Sequence, residues 1–285
     1  AEPGATLEWL PQETSLFDGA RLRRALDGGA GRHPAAGEQL PRQVRALHRA
    51  GPAQPAVRTD RVGDHADDVP AAERLEGLRG GGELGRHWYD DGKMLAKRNT
   101  FTDFVDCAAW LHESGWVAPD RLAAEGGSAG GLLMGAVTNL APDRFRAVLA
   151  EVPFVDTLTT ILRPELPLTV GEWDEWGNPL ADPEVYQVMR GYSPYENVAA
   201  REYPAILATT SLHDTRVSFT EPAKWVARLR ATVTNDLLAR PVLLRTEMSA
   251  GHGGRSGRYD AWRETAEDWS FVLDQIGATE PLPRG

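Results

Sequence analysis

The chain has 285 residues, 41% of them hydrophobic, with nine tryptophans, which is enough apolar material for a sizeable core. Its formal net charge of −10 argues against nucleic acid as a main partner, and its single cysteine, Cys107, excludes an internal disulfide. No apolar run approaches the ~18 residues of a membrane span and no signal peptide opens the chain, so a soluble cytoplasmic protein is expected.

The acidity is uneven. Residues 1–80 hold 11 Arg and 12 acidic residues but no Lys, Ile, Met, Asn, Tyr or Cys, and they show little sustained period of 2 or 3.6. Two readings fit residues 1–78: an Ala/Arg/Gly/Pro-rich disordered arm, or the translation of a shifted reading frame in GC-rich DNA. The absence of five residue types with AT-rich codons (Lys, Ile, Met, Asn and Tyr) is what reading GC-rich DNA out of frame produces, and it sets the second reading level with the first. The chain starts at Ala1 and is read as a fragment.

From residue 79 onward the pattern is that of one globular domain, 79–285. "NTFTDFVDCAAWLHESG" carries Thr100 and Asp103 in capping-box positions and apolar residues at 101, 104, 105, 108 and 111, a helical stripe. "RLAAEGG" predicts a short strand and "AGGLLMGAVTNL" the helix that follows it. "FRAVLAEVPF" and "PAILATTSLHD" are further strands, and "TEPAKWVARLRATV" is a helix with Glu221 and Pro222 suited to its first turn. "RPVLLRTEMSAGHGG" reads as a strand entering a loop, and "YDAWRETAEDWSFVLDQIG" as a closing amphipathic helix. The stretch 162–200, rich in Pro and Trp, reads as an excursion between strands rather than a core element. Strands alternating with helices predict an α/β fold with a mostly parallel sheet.

The chemistry centres on "GGSAG", residues 126–130, which satisfies the G-x-S-x-G pattern of a nucleophile elbow. A serine in a tight strand-to-helix turn has its Oγ lifted clear of the sheet, and small neighbours avoid collision. A passive serine in a Gly-rich turn fits the same pattern, so partners decide. A hydroxyl needs a base to become a nucleophile, and the base needs an acid to hold its tautomer. Asp214 ends one later strand and His252 lies directly after another, in the chain order Ser, Asp, His of an α/β-hydrolase. His213 is the rival base, but it sits too close to Asp214 in sequence to reach the serine from the opposite loop. No H-E-x-x-H or cysteine pair is present, so no metal site and no cofactor are expected.

The motifs "RGGGELGRHWYDDGK", "NTFTDF", "GGSAGGLLMGAV", "EVPFVDTLTT", "PLTVGEWDEWGNP", "YSPYENV", "LHDTRV", "EPAKWVARLR" and "SAGHGGRSGR" resemble the catalytic domain of the oligopeptidase B group, within the prolyl oligopeptidase family of serine peptidases. The resemblance covers about residues 78–275. It implies an α/β-hydrolase fold with Ser128 as nucleophile, His252 as general base, Asp214 as its orienter and the Ala129 backbone N–H as an oxyanion donor. It further implies short basic peptides as substrates, cleaved after Arg or Lys. Glu172 and Asp174 in "GEWDEW" stand where that group binds the basic side chain, with Asp174 replacing the usual glutamate. In an extended segment they would point to one side, and carboxylates suit a guanidinium through charge-assisted pairing. Phe154 would wall the substrate's aliphatic stem, and Arg216 would bind a substrate carbonyl.

Two parts implied by the resemblance have no counterpart here: an N-terminal β-propeller, and an early strand whose tyrosine is a second oxyanion donor. The catalytic sheet is therefore expected to be N-terminally incomplete and to lack an edge. Activity is expected to be impaired, since one oxyanion donor is worth ~10²–10³ in rate. A small-ester hydrolase and an inactive fragment are the alternative readings.

Overall fold

The computed structural model describes residues 86–118 and 120–278, together with the backbone of three short strands, β1 (Thr6–Pro11), β2 (Ala20–Arg21) and β3 (Arg45–Leu47). The two readings of residues 1–78 otherwise lie outside the described residues. Four consecutive parallel strands follow: β4 (Leu122–Gly127), β5 (Ala147–Glu151), β6 (Ala205–Ser211) and β7 (Val242–Glu247). The sheet order is β2-β1-β4-β5-β6-β7, with β3 also paired to β1. β1 runs parallel to β4 with Leu7 opposite Leu122, so the edge that the sequence reading expects to be missing is occupied on the far side of β4. The signal for it was local: Leu7 and Trp9 alternate with polar residues in "TLEWL".

Every residue of β6 is buried, as are the first four of β5, because helices cover both faces of the sheet. Alternation along β5 separates the two faces. Ala147 and Leu149 pack with Val272 and Ile276 beneath the closing helix, whereas Val148 and Ala150 join the larger cluster with Phe101, Leu132 and Trp225.

Among the described residues the α-helices are α1 (Arg86–Asp90), α2 (Arg98–Glu113), α3 (Ala129–Leu140), α4 (Thr157–Ile161), α5 (Trp173–Trp176), α6 (Pro183–Tyr192), α7 (Thr220–Thr232) and α8 (Arg258–Gln275). α2 buries Phe101, Phe104, Ala108 and Leu111, most of the predicted stripe. The capping box at Thr100 and Asp103 is not formed. α2 begins at Arg98, and Thr100 Oγ1 instead donates to the Gly92 carbonyl at 3.1 Å. Lys97, the residue before that start, is only 6% exposed and is ion-paired to the buried Glu175.

The segment 162–200 also departs from the expected excursion. Val185, Met189 and Tyr192 repeat at helical spacing along one face of α6 and join Trp176 in the main core. Asp182 caps α6 by accepting from the Glu184 N–H at 2.8 Å, with Pro183 in the first turn.

Candidate active site

Ser128 occupies the single residue between β4 and α3. Its φ of 53° and ψ of −114° lie in a region non-glycine residues rarely adopt, a local strain of order 1–3 kcal/mol. Three backbone bonds hold it there. Its N–H donates to the Glu151 carbonyl at 2.8 Å, and its carbonyl accepts from Leu132 and Phe154, each at 3.1 Å. Val152, with φ 39°, is a second strained residue, at the end of the adjacent strand β5. The elbow's steric demand falls on Gly131, where a Cβ would meet Pro153 Cα at 2.4 Å. At Gly127 the nearest atom would be 3.6 Å away, so the collision that the sequence reading assigns to the serine's neighbours is not general.

Loops after β6 and β7 bring the other two residues to the serine. His252 Nδ1 lies 2.7 Å from Asp214 Oδ2, and His252 Nε2 lies 3.1 Å from Ser128 Oγ. If Nδ1–H donates to the carboxylate, Nε2 is left to accept the serine proton, the arrangement that general-base activation requires. Asp214 has no exposed side-chain surface. Burial opposes its ionisation, but bonds from His252 and the N–H groups of Val217 and Arg216 outweigh it and hold the carboxyl below the usual carboxylate range. His213, the rival base, is exposed and points its backbone N–H at the Ala250 carbonyl. Ala129 is the first residue of α3, so its N–H has no acceptor within the helix and is free to serve an oxyanion.

The remaining predicted residues are brought together unevenly. Phe154 is tied to the elbow by its N–H bond to the Ser128 carbonyl, and Thr157 Oγ1 donates to its carbonyl at 3.0 Å. It is 6% exposed, and its ring meets that of Trp176 at a centroid distance of 5.6 Å. Trp176 Nε1 donates to Glu172 Oε2 at 2.8 Å, so aromatic packing links Glu172 to the serine. Glu172 and Asp174 do not share a side. Their segment is a 3₁₀ turn running into α5, where residues two apart diverge by about 200°. Asp174 is exposed, and the acid beside it, Glu175, is consumed by Lys97. The Arg216 side chain is exposed, and its backbone serves Asp214.

One feature of the site had no sequence signal. Glu151 and Glu125 lie on neighbouring strands directly behind the elbow, and burial next to Glu125 and Asp268, with a hydrogen bond that protonated Glu151 donates to Glu125, pushes Glu151 up to about 8. Only strand register could reveal that pair.

The sequence profile described as the prolyl oligopeptidase family matches residues 77–279. The chain belongs to the prolyl oligopeptidase family. Within it, the chain is 54% identical over 203 residues to a dipeptidyl aminopeptidase BI from Pseudoxanthomonas mexicana, covering 71% of this chain and 28% of that protein. It is 51% identical over 200 residues to a protease 2 from Moraxella lacunata, covering 70% of this chain and 28% of that one. Oligopeptidase B from Leishmania major superposes with a TM-score of 0.69 at 49% identity, over 72% of this chain and 28% of its own. The chain thus spans little more than a quarter of the length of these prolyl oligopeptidase relatives. The α/β-hydrolase fold follows from the same match, and the hydrogen-bonded series from Asp214 to Ser128 lies inside the matched region.

Proposed function

We propose that this chain carries the acyl-transfer centre of a serine oligopeptidase that hydrolyses short peptides after Arg or Lys. The observation that carries the reading is the continuous bond series Asp214–His252–Ser128, with the serine on a strained elbow. In that role Ser128 Oγ attacks the scissile carbonyl while His252 Nε2 takes its proton. Asp214 keeps the imidazole in the required tautomer and stabilises the imidazolium that forms. The Ala129 N–H faces the developing oxyanion, and its contribution is largest in the transition state. His252 then returns the proton to the leaving amine, and water repeats the sequence to release the acid.

Specificity for a basic side chain rests on the pairing of Glu172 with the wall formed by Phe154 and Trp176. Trp176 uses Glu172 Oε2, leaving Oε1 for a guanidinium or ammonium, and the two rings suit the aliphatic stem. Asp174, on the other side of the turn, would add long-range attraction rather than a shared fork.

The test is hydrolysis of an N-blocked Arg-amide chromogenic peptide by the wild-type chain and its loss in Ser128→Ala. A well-folded chain whose Ser128 is not labelled by a fluorophosphonate would refute the reading and leave an inactive fold. Turnover of p-nitrophenyl esters without Arg-peptide turnover would point to an esterase. The name of the P. mexicana relative favours a second reading, release of N-terminal dipeptides. It would show as cleavage of free-amine peptides with blocked ones untouched.

A further inference from the structure

Glu221, the one acid in α7, is 3% exposed and sits seven residues after Asp214. First-turn placement alone would leave it at the helix surface, complementing the dipole. Its carboxylate instead turns inward and crosses to a different segment. Oε2 accepts from the Asp156 N–H at 2.9 Å and Oε1 from Thr160 Oγ1 at 2.6 Å. Lys224, one turn along α7, closes the same cluster by pairing with Asp156.

The segment it holds is the one that lines the serine. Phe154, Asp156, Thr157 and Thr160 belong to a single turn entering α4, and Phe154 is bonded to Ser128 through its N–H. The loop on the other side of the cluster, residues 214–219, carries Asp214 and leads directly into α7, where the Glu221 N–H donates to the Ser218 carbonyl at 2.9 Å. Two loops from different strands, one holding the acid and one holding the aromatic wall, are therefore clamped together through one side chain.

We propose that Glu221 is a positioning residue for peptide binding, holding the Phe154–Thr160 turn against the Asp214 loop so that the Phe154 wall keeps its place beside Ser128. This inference rests on the peptidase reading of Ser128. Glu221 touches no reacting atom, so its effect is expected in substrate affinity rather than in the reactivity of the serine.

The clamp is sensitive to pH. Burial pushes Glu221 up to about 7, against the bonds from Thr160 and the Asp156 N–H and the charge of Lys224, with Asp156 adding a raising influence. The other charged groups facing the cluster are Arg228, which with Lys224 stacks on Tyr195, and Glu196 near Lys224. Above neutrality the carboxylate accepts both bonds as an ion, and such bonds are about twice as strong as neutral ones. Below it the protonated acid holds the turn no better than an amide would.

The experiment uses the Ser128→Ala chain, so that His252 does no chemistry, and measures the dissociation constant of a fluorescent arginyl peptide from about pH 6 to pH 8.5. Affinity should rise as pH climbs through about 7. Ser128→Ala/Glu221→Gln should bind about three- to tenfold more weakly at the alkaline end, the scale of one hydrogen bond, and should lose the step. At the acidic end the two chains should agree. A double variant that melts cooperatively yet keeps both the parent's affinity and its pH step would overturn the inference. Hydrogen exchange at the Asp156 amide gives a second measure, and no acceleration on Glu221→Gln substitution would also overturn it. Fluorophosphonate labelling of the wild-type chain separates the layers: labelling with no peptide binding sinks the basic-peptide reading, and no labelling sinks the peptidase reading itself.

Discussion

Gly131→Ala tests whether the elbow's geometry is set where the contacts place it. A Cβ at residue 131 would lie 2.4 Å from Pro153 Cα and 2.5 Å from Pro153 Cβ. Carbon atoms in contact sit at about 3.5–4.0 Å, so α3 and Pro153 must separate by about 1 Å. Pro153 has little room to retreat. Val152 before it donates to the Thr209 carbonyl at 2.8 Å, and Phe154 after it donates to the Ser128 carbonyl at 3.1 Å. Overpacking of this kind costs about 1–3 kcal/mol, and losing the Phe154 bond adds about 1 kcal/mol. Replacing a helical glycine by alanine returns about 1 kcal/mol, so the net loss should be about 1–3 kcal/mol. Urea denaturation measures it, with fluorophosphonate labelling as a second readout that should slow as the Phe154–Ser128 bond is strained. Gly127→Ala is the control, because its nearest contact of 3.6 Å is an ordinary one and the strand gains from a side chain. Equal stability and equal labelling for Gly131→Ala and wild type would refute the steric reasoning.

Three further outcomes follow from the same contacts. Asp214→Asn should leave the fold intact but lower kcat by about 10⁴, because an amide stabilises the wrong imidazole tautomer; a loss under tenfold in Arg-peptide turnover would show that Asp214 does not orient the base. Glu151 keeps its proton in the folded chain well above the range where the unfolded chain loses it. Its contribution to stability is therefore full below about pH 4.5 and is lost as pH rises through about 8. Glu151→Gln should flatten that slope and gain up to a few kcal/mol at pH 9, read from denaturant midpoints across pH, and an unchanged slope would count against the Glu125–Glu151 pair. Lys97→Met should cost about 3–5 kcal/mol by leaving Glu175 charged and buried, whereas Lys97→Met/Glu175→Met should recover most of that loss in thermal melts.

Much of the site was legible in the chain because its signals are local or ordered. Gly, Ser and Gly at fixed spacing require a strand-to-helix turn, and β4 and α3 flank Ser128 as that spacing predicts. Asp214 and His252 were identifiable because each follows an apolar strand, and parallel strands of one sheet deliver their C-terminal loops to a common edge. Period-3.6 patterning likewise placed the apolar stripe of α2 and the amphipathic α8, and first-turn chemistry at Glu221 and Pro222 placed α7.

Where local rules failed, a long-range partner had won. Thr100 has no capping role because α2 already starts at Arg98, next to Lys97, which pairs with Glu175 78 residues away. An extended segment would have put Glu172 and Asp174 on one side, but the segment is a 3₁₀ turn running into a helix, which turns the two acids apart, and its Trp176 packs on Phe154. Glu221 stands in the first turn of α7 as its sequence predicts, but it is also a buried clamp, because the groups that donate to its carboxylate lie 61 and 65 residues away. The sequence by itself determined the residue types, their order and the strand-to-helix turn that raises Ser128, since these depend on neighbours within a few positions. Tertiary structure alone decided that Glu175 is spent on Lys97 and Glu221 on the Asp156 N–H, since those partners lie 78 and 65 residues away in the chain.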